Sequence, residues 1–169
     1  MKKISVILSV MAAIVLAACS SIDCPVKNKV ETTYALKKPN GKTDTLGVDT
    51  LSVWIHRIEY KDGKRDSTVI NRLCGSKGTS FAVAMSYVMP EDSLFTLLKN
   101  NKGGEWRDTI CVSKENTAHF ESVDCRATYF HQITALTYTK NGIDSIKLNN
   151  REVNYDTSEH FYLYLKADR

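Results

Sequence analysis

The sequence predicts an all-β fold, an antiparallel sandwich, immunoglobulin-like in kind, of about nine strands. Three observations predict it. Short runs rich in β-branched and aromatic residues recur along residues 29–169. Turn residues separate them at regular spacing. No segment past residue 28 keeps a helical period of apolar residues over three turns. A single closed barrel is the alternative arrangement of the same strands.

The elements follow in order. Val30–Leu36 is the first strand, and Lys38-Pro39-Asn40-Gly41 supplies turn chemistry after it. Leu51–Tyr60 is a long strand carrying Trp54, Ile55 and Ile58. Asp62-Gly63 is a hairpin signal, and Asp66–Leu73 returns. Ser80–Val88 puts Phe81, Val83, Met85 and Tyr87 on one face. Pro90-Glu91-Asp92 turns the chain into Leu94–Lys99, and Asn100–Gly104 is a loop. Trp106–Ser113 and Ala118–Val123 form a pair around a turn at Lys114-Glu115-Asn116-Thr117. Tyr129–Thr139 and Ser145–Asn150 flank Asn141-Gly142, the strongest two-residue hairpin signal in the chain. His160–Leu165 ends the series, with Phe161, Leu163 and Leu165 on one face and Tyr162 and Tyr164 on the other. Asp-Thr-Leu or Asp-Thr-Ile stands at 44–46, 49–51 and 108–110, but with no fixed period. It marks turns opening into strands rather than a repeat architecture.

The N-terminus carries an address. Lys2 and Lys3 precede the apolar run Ile4–Leu16, and Leu16-Ala17-Ala18-Cys19 reads as a lipobox. The run is about 15 residues, short of the roughly 20 that cross a bilayer core, and its flanks suit a secretory signal. Residues 1–18 are then a lipoprotein signal peptide. Residues 19–28 are a lipidated N-terminus and short tether, and 29–169 form one β-sandwich domain. Acylated Cys19 makes the lipid bilayer the expected partner. Ser20, in place of Asp, points to the outer membrane. The single acid in Ser20-Ser21-Ile22-Asp23-Cys24 points to its periplasmic side. Loss of Lys2 and Lys3 lowers the net charge from +4 to +2, too balanced to argue for nucleic acid.

With Cys19 spent on lipid, Cys24, Cys74, Cys111 and Cys125 form an even set in an oxidising compartment. Their spacing matches no zinc pattern, so two disulfides are expected, with three possible connectivities. A turn at 114–117 would place Cys111 across from Phe120, leaving Cys125 too far along for a bond to it. The favoured pairing is Cys24–Cys125 with Cys74–Cys111. Cys24 lies five residues past Cys19, a reach of about 17 Å. That bridge would hold the Cys125 end of the domain near the headgroups.

Chemistry is sparse, and no cofactor or catalytic residue is expected. His119 and Glu121 share a strand face by their i, i+2 spacing, and His131 on the next strand could approach them. This trio is the best candidate for a metal site or a general base. Its bland counterpart is three ordinary strand residues, as for His56 and His160. No G-x-S-x-G accompanies the serines. Gly75-Ser76-Lys77-Gly78 resembles part of a phosphate loop but reads as a hairpin loop. Lys61-Asp62-Gly63-Lys64-Arg65 reads as a solvated basic turn. Tyr162 and Tyr164 could contact a partner, and packing is the commoner use of such tyrosines. The leading functional expectation is a membrane-anchored envelope lipoprotein that acts as a non-catalytic binding domain for an envelope protein or glycan. A periplasmic metal-binding protein or hydrolase using His119, Glu121 and His131 is the alternative.

Several pieces carry a family resemblance: Ser20-Ser21-Ile22-Asp23-Cys24-Pro25, Pro90-x-Asp92-x-Leu94, Asn116-Thr117-x-His119-Phe120, Ser122-x-Asp124-Cys125, Ile143-Asp144-Ser145-Ile146 and Val153-Asn154-Tyr155. In order and spacing they resemble a family of short lipoproteins of Bacteroides and Prevotella relatives. That family is a domain of unknown function, so the resemblance implies no activity, cofactor or catalytic residue. Arg126 departs from the pattern, which has a glycine after the Asp-Cys pair.

Overall fold

The computed structural model describes residues 29–61, 64–74 and 78–167, with side-chain detail for 29–55 and 78–167. Ten strands are present among them: β1 (Glu31–Leu36), β2 (Thr50–Lys61), β3 (Lys64–Cys74), β4 (Ser80–Ala84), β5 (Glu91–Lys99), β6 (Glu105–His119), β7 (Thr128–Tyr138), β8 (Ile143–Leu148), β9 (Glu152–Val153) and β10 (Phe161–Leu165). They form a four-stranded sheet in the order β4-β1-β10-β8 and a six-stranded sheet in the order β3-β2-β5-β6-β7-β9. The architecture is the expected all-β sandwich, with no helix among the described residues. Immunoglobulin domains divide their strands as ABED and CFG. Here β5, β6 and β7 meander within one sheet, and β1 runs parallel to β10 at the centre of the other.

The core follows from the period-two alternation of the strands. Leu51, Val53 and Ile55 of β2, Leu94 and Leu98 of β5, Ile110 and Val112 of β6 and Ile133 of β7 face inward from the larger sheet. Tyr34 and Leu36, Phe81 and Val83, Ile143 and Ile146, and Phe161 and Leu163 meet them from the smaller one. Tyr34 is the centrepiece. Its ring stacks on Phe81 at 4.9 Å and on Phe161 at 4.8 Å, so three strands share one aromatic column. The Asp62-Gly63 signal is flanked as expected, since Lys61 pairs with Lys64; residues 62 and 63 themselves lie outside the described set.

Three expectations are corrected. The first concerns the turn at 114–117. Strand β6 runs through it without a break to His119, with Asn116 opposite His131 and His119 opposite Thr128. The chain turns later, over 120–127. Turn-forming residues lose here because tertiary partners take their polar groups. Lys114 enters the interior at a bulge after Ser113, and its ammonium contacts Asp92 Oδ2 at 2.9 Å and Met89 O at 2.7 Å. The Asn116 amide donates to the carbonyls of Tyr87 and Met89.

The second concerns Asn141-Gly142, which joins β7 to β8 in different sheets and is therefore a corner, not a hairpin. Asp108, buried on β6, builds that corner. Its carboxylate accepts hydrogen bonds from Thr139 Oγ1 and Asn141 N at 2.7 Å, and from Gly142 N at 2.7 Å and Ile143 N at 3.0 Å. Glycine is needed at 142 because a Cβ there would lie 2.7 Å from Trp106 Cβ.

The third concerns Cys74–Cys111. Cys111 is a free thiol, 3.6 Å from Ser93 Oγ. Cys74 pairs with Leu51, and Leu51 with Leu98, five residues from Ser93. Three strand spacings and five residues of rise separate the two cysteines, about 14 Å across and 17 Å along the sheet. A disulfide needs Cα atoms within about 7 Å.

Candidate functional site

The β6–β7 hairpin creates the most distinctive surface. Strand β5 begins at Glu91, opposite Ser113, so β6 extends from Lys114 to His119 with β7 as its only ladder partner from the meander. Residues 85–90 lie beside the base of this arm and are fastened to it. Lys114 N donates to Pro90 O at 2.8 Å, and Tyr87 stacks on Tyr129 at 5.0 Å. Asp92 closes the segment from the other side by accepting from Ser86 N at 3.1 Å. The Lys114 side chain is wholly buried, so the Asp92–Lys114 pair acts in a low-dielectric setting where an unpaired charge is costly.

A cleft of about 510 Å³ opens between this segment and the arm, lined by Val30, Met85, Tyr87, Arg126, Tyr129 and His131 among others. His131 is the buried polar group at its floor. Because the Asn116 amide nitrogen is committed to two carbonyls, its oxygen faces His131 Nδ1 at 2.7 Å. Nδ1 therefore carries the hydrogen and donates, and Nε2 keeps its lone pair. Thr32 Oγ1 is the one sealed polar side-chain atom without a partner among the described residues, so the unpartnered Nε2 is open to the cleft. Burial, then the nearby charge of Lys114, push the His131 pKa down to about 4. The ring is neutral at physiological pH. A base whose conjugate acid is that strong is poorly matched to proton abstraction near pH 7, so the geometry suits a fixed hydrogen-bond acceptor.

The predicted trio does not come together. His119 projects from the opposite sheet face to His131, three residues further along β6 than Asn116. Its ring stacks on Phe130 at 4.3 Å, and Tyr155 closes the cluster edge-on at 5.0 Å from Phe130. Glu121 is exposed in the loop past β6. No group of three or more His, Cys, Asp or Glu side chains gathers to hold a metal among the described residues. The metal-or-hydrolase alternative therefore finds no support in the geometry.

The other candidates are structural or lie outside view. His160 is fully buried and splices β1 to β9. Its Nδ1 accepts from Thr33 N at 3.1 Å, and Nε2 donates to Glu152 O at 3.1 Å; burial lowers its pKa. Tyr162 is half-buried under the Lys37 ammonium, 5.0 Å from the ring centre, and Lys37 is paired with Glu159 at 2.8 Å. Tyr164 lines a hollow at the opposite end of the sandwich with Asp44, Asp49 and Asp144. The side chains of His56, of Cys74 and of the basic turn Lys61–Arg65 lie outside the description, as do residues 1–28 with Cys19 and Cys24, and 75–77 of the Gly75–Gly78 loop. Cys125 is disulfide-bonded, with a partner outside the residues whose side chains are described.

Sequence reasoning found His131 but missed Asn116, which holds its ring, and Lys114 and Asp92, which fasten residues 86–89 to the arm. In sequence Lys114 and Asn116 have the composition of a turn, and the only signal of their role is the alternation with Val112 into the sheet interior.

No curated protein and no solved structure matches the chain. One family pattern does, over residues 50–165, which takes in β2 through β10 and all of the arm. The chain belongs to DUF6452, a family of unknown function.

Proposed function

We propose that this chain is a bacterial envelope lipoprotein, held by acylated Cys19 on the periplasmic side of the outer membrane after loss of residues 1–18. In this reading residues 29–169 are a non-catalytic binding domain for an envelope protein or glycan. The lipobox Leu16-Ala17-Ala18-Cys19 and the resemblance to Bacteroides and Prevotella lipoproteins support the address. The observation that carries the binding reading is His131, a neutral acceptor whose only unused polar atom opens into a cleft flanked by stacked tyrosines and Arg126. Tyrosine faces and a fixed acceptor suit hydroxyl-rich or peptide ligands.

The Cys24–Cys125 bridge belongs to the same proposal. Cys111 is free, and Cys74 sits at the Leu51 end of the sandwich, the far end from the 120–127 loop. Only the N-terminal cysteines are left to meet Cys125, and Cys19 is assigned to lipid.

Two measurements test the reading. A fatty-acid analogue should label the wild-type chain in cells and fail to label Cys19→Ser; equal labelling of both refutes the anchor. A photo-crosslinking residue at Tyr129 should trap a recurrent envelope component, and one at Tyr164 should not. A blank at Tyr129, or the same adduct from both sites, refutes the binding cleft.

A further inference from the structure

The exposed large apolar side chains are not scattered. Phe120 and Val123 stand on the 120–127 loop at the tip of the β6–β7 arm, 66% and 97% exposed. Tyr87, Val88 and Met89 stand on the segment beside the arm's base and are also exposed. Five of the seven large hydrophobics exposed among the described residues therefore share one end of the molecule; the others are Val48 and Phe95. The arm extends past the start of β5 by six residues, Lys114–His119, or about 20 Å. It ends in the most exposed apolar side chain of the described chain.

That same end receives the N-terminal segment. Val30 lines the cleft with Tyr87 and Tyr129, and Glu31 begins β1 opposite Ala84. Val30 lies eleven residues past Cys19, a reach of up to about 40 Å. The arm tip thus lies within range of whatever holds Cys19, and a bridge from Cys24 to Cys125 would place it five residues from the anchor.

The geometry points to the lipid bilayer as the occupant of this apolar tip: Phe120 and Val123 insert into the leaflet that holds the Cys19 acyl chains, and Tyr87 and Tyr129 settle at the headgroup level. This rests on the lipoprotein reading and deepens it. The chemistry fits an interface, where aliphatic and Phe side chains enter the acyl boundary and Tyr rings prefer the polar–apolar border. The loop carries Glu121, Asp124 and Arg126, close to neutral overall, so the contact is apolar and does not need anionic lipid. The consequence is orientation. The cleft over His131 opens at the headgroup layer, and the hollow at Tyr164 faces away from the membrane.

The experiment uses the lipidated chain reconstituted in zwitterionic phosphatidylcholine vesicles whose acyl chains carry bromine, a short-range quencher of tryptophan. Phe120→Trp, Val123→Trp and a control, Val48→Trp, are each compared with the parent, whose Trp54 and Trp106 set the background. Val48 lies just before the start of β2, at the other end of the sandwich, and is 68% exposed. The expected result is at least threefold stronger quenching of the tryptophans at 120 and 123 than of that at 48, unchanged by 0.5 M salt. Equal, weak quenching at all three sites on vesicles that carry the chain overturns the inference. That result leaves the lipoprotein reading standing and points to a protein partner for the tip. Mass measurement of Cys19 on the same preparation separates the two failures. An unacylated chain overturns the lipoprotein reading, whereas quenching of such a chain at 120 and 123 still supports insertion.

Discussion

Lys114 offers the sharpest test of how the cleft is held together. In Lys114→Met the side chain keeps its length but loses the ammonium that contacts Asp92 and the Met89 carbonyl. The carbonyl retains its bond from the Asn116 amide, and Asp92 retains the Ser86 N–H, so neither acceptor is orphaned. What remains is a carboxylate, 7% exposed, with no countercharge. Removing one member of a buried pair costs about 3–5 kcal/mol, and the surviving hydrogen bonds place this case near 3. Neutralising the survivor in Lys114→Met/Asp92→Asn should then recover about half of the loss. Urea unfolding of the purified chain measures both values, and amide exchange should show residues 85–90 opening first in the single variant. A single variant within about 1 kcal/mol of wild type, or a double variant no better than the single, would refute the idea that an unpaired charge is what matters.

Three further outcomes follow from other sites. Asp108→Asn turns a carboxylate that accepts three backbone N–H groups into an amide that must aim hydrogens at some of them; about 3 kcal/mol should be lost in denaturant unfolding, and a loss under 1 would contradict that role. Gly142→Ala drives a methyl group against Trp106 Cβ and Leu98 Cδ2 and should cost about 2 kcal/mol, read as a lowered Tm; an unchanged Tm would show that the corner yields freely. His131 has a folded-state pKa near 4, below the ordinary 6.5, so the unfolded chain binds the extra proton between those values. Stability is then full above pH 6.5 and falls as the pH drops towards 4, by about 2–3 kcal/mol after allowance for solvent in the cleft. His131→Gln should flatten that part of the profile, and an identical slope in both proteins would exclude the imidazole as its source.

The sandwich was legible because its strands alternate. Phe81 and Val83, Leu94 and Leu98, and Phe161 and Leu163 each declare a buried face in sequence, and each occupies one. Local turn chemistry was a poorer guide where tertiary contacts compete. Lys-Glu-Asn-Thr at 114–117 has the composition of a turn, yet Lys114 and Asn116 find partners in 87–92 that only the folded sheet supplies. Asn141-Gly142 has the composition of a hairpin, but Asp108, more than thirty residues earlier, captures its amides and turns the chain into the other sheet. The cleft was hidden for the same reason. Tyr87 is distant in sequence from Arg126 and His131, and only the arm's register brings it to them. The histidine trio failed on parity: with β6 unbroken, His119 and His131 point to opposite faces.

The parallel pairing of β1 with β10 bears on how the molecule comes into being. Tyr34 sits beside Phe161, 127 residues later, and the latter closes the aromatic column. Without β10, strand β8 has no neighbour in its sheet, and β1 and β4 amount to an isolated ribbon too small to persist in water. Half of the sandwich therefore has no stable precursor until β10 is in place, and β10 is the strand that lets β1 fold. Such a topology is slow to form because its decisive contact spans most of the chain.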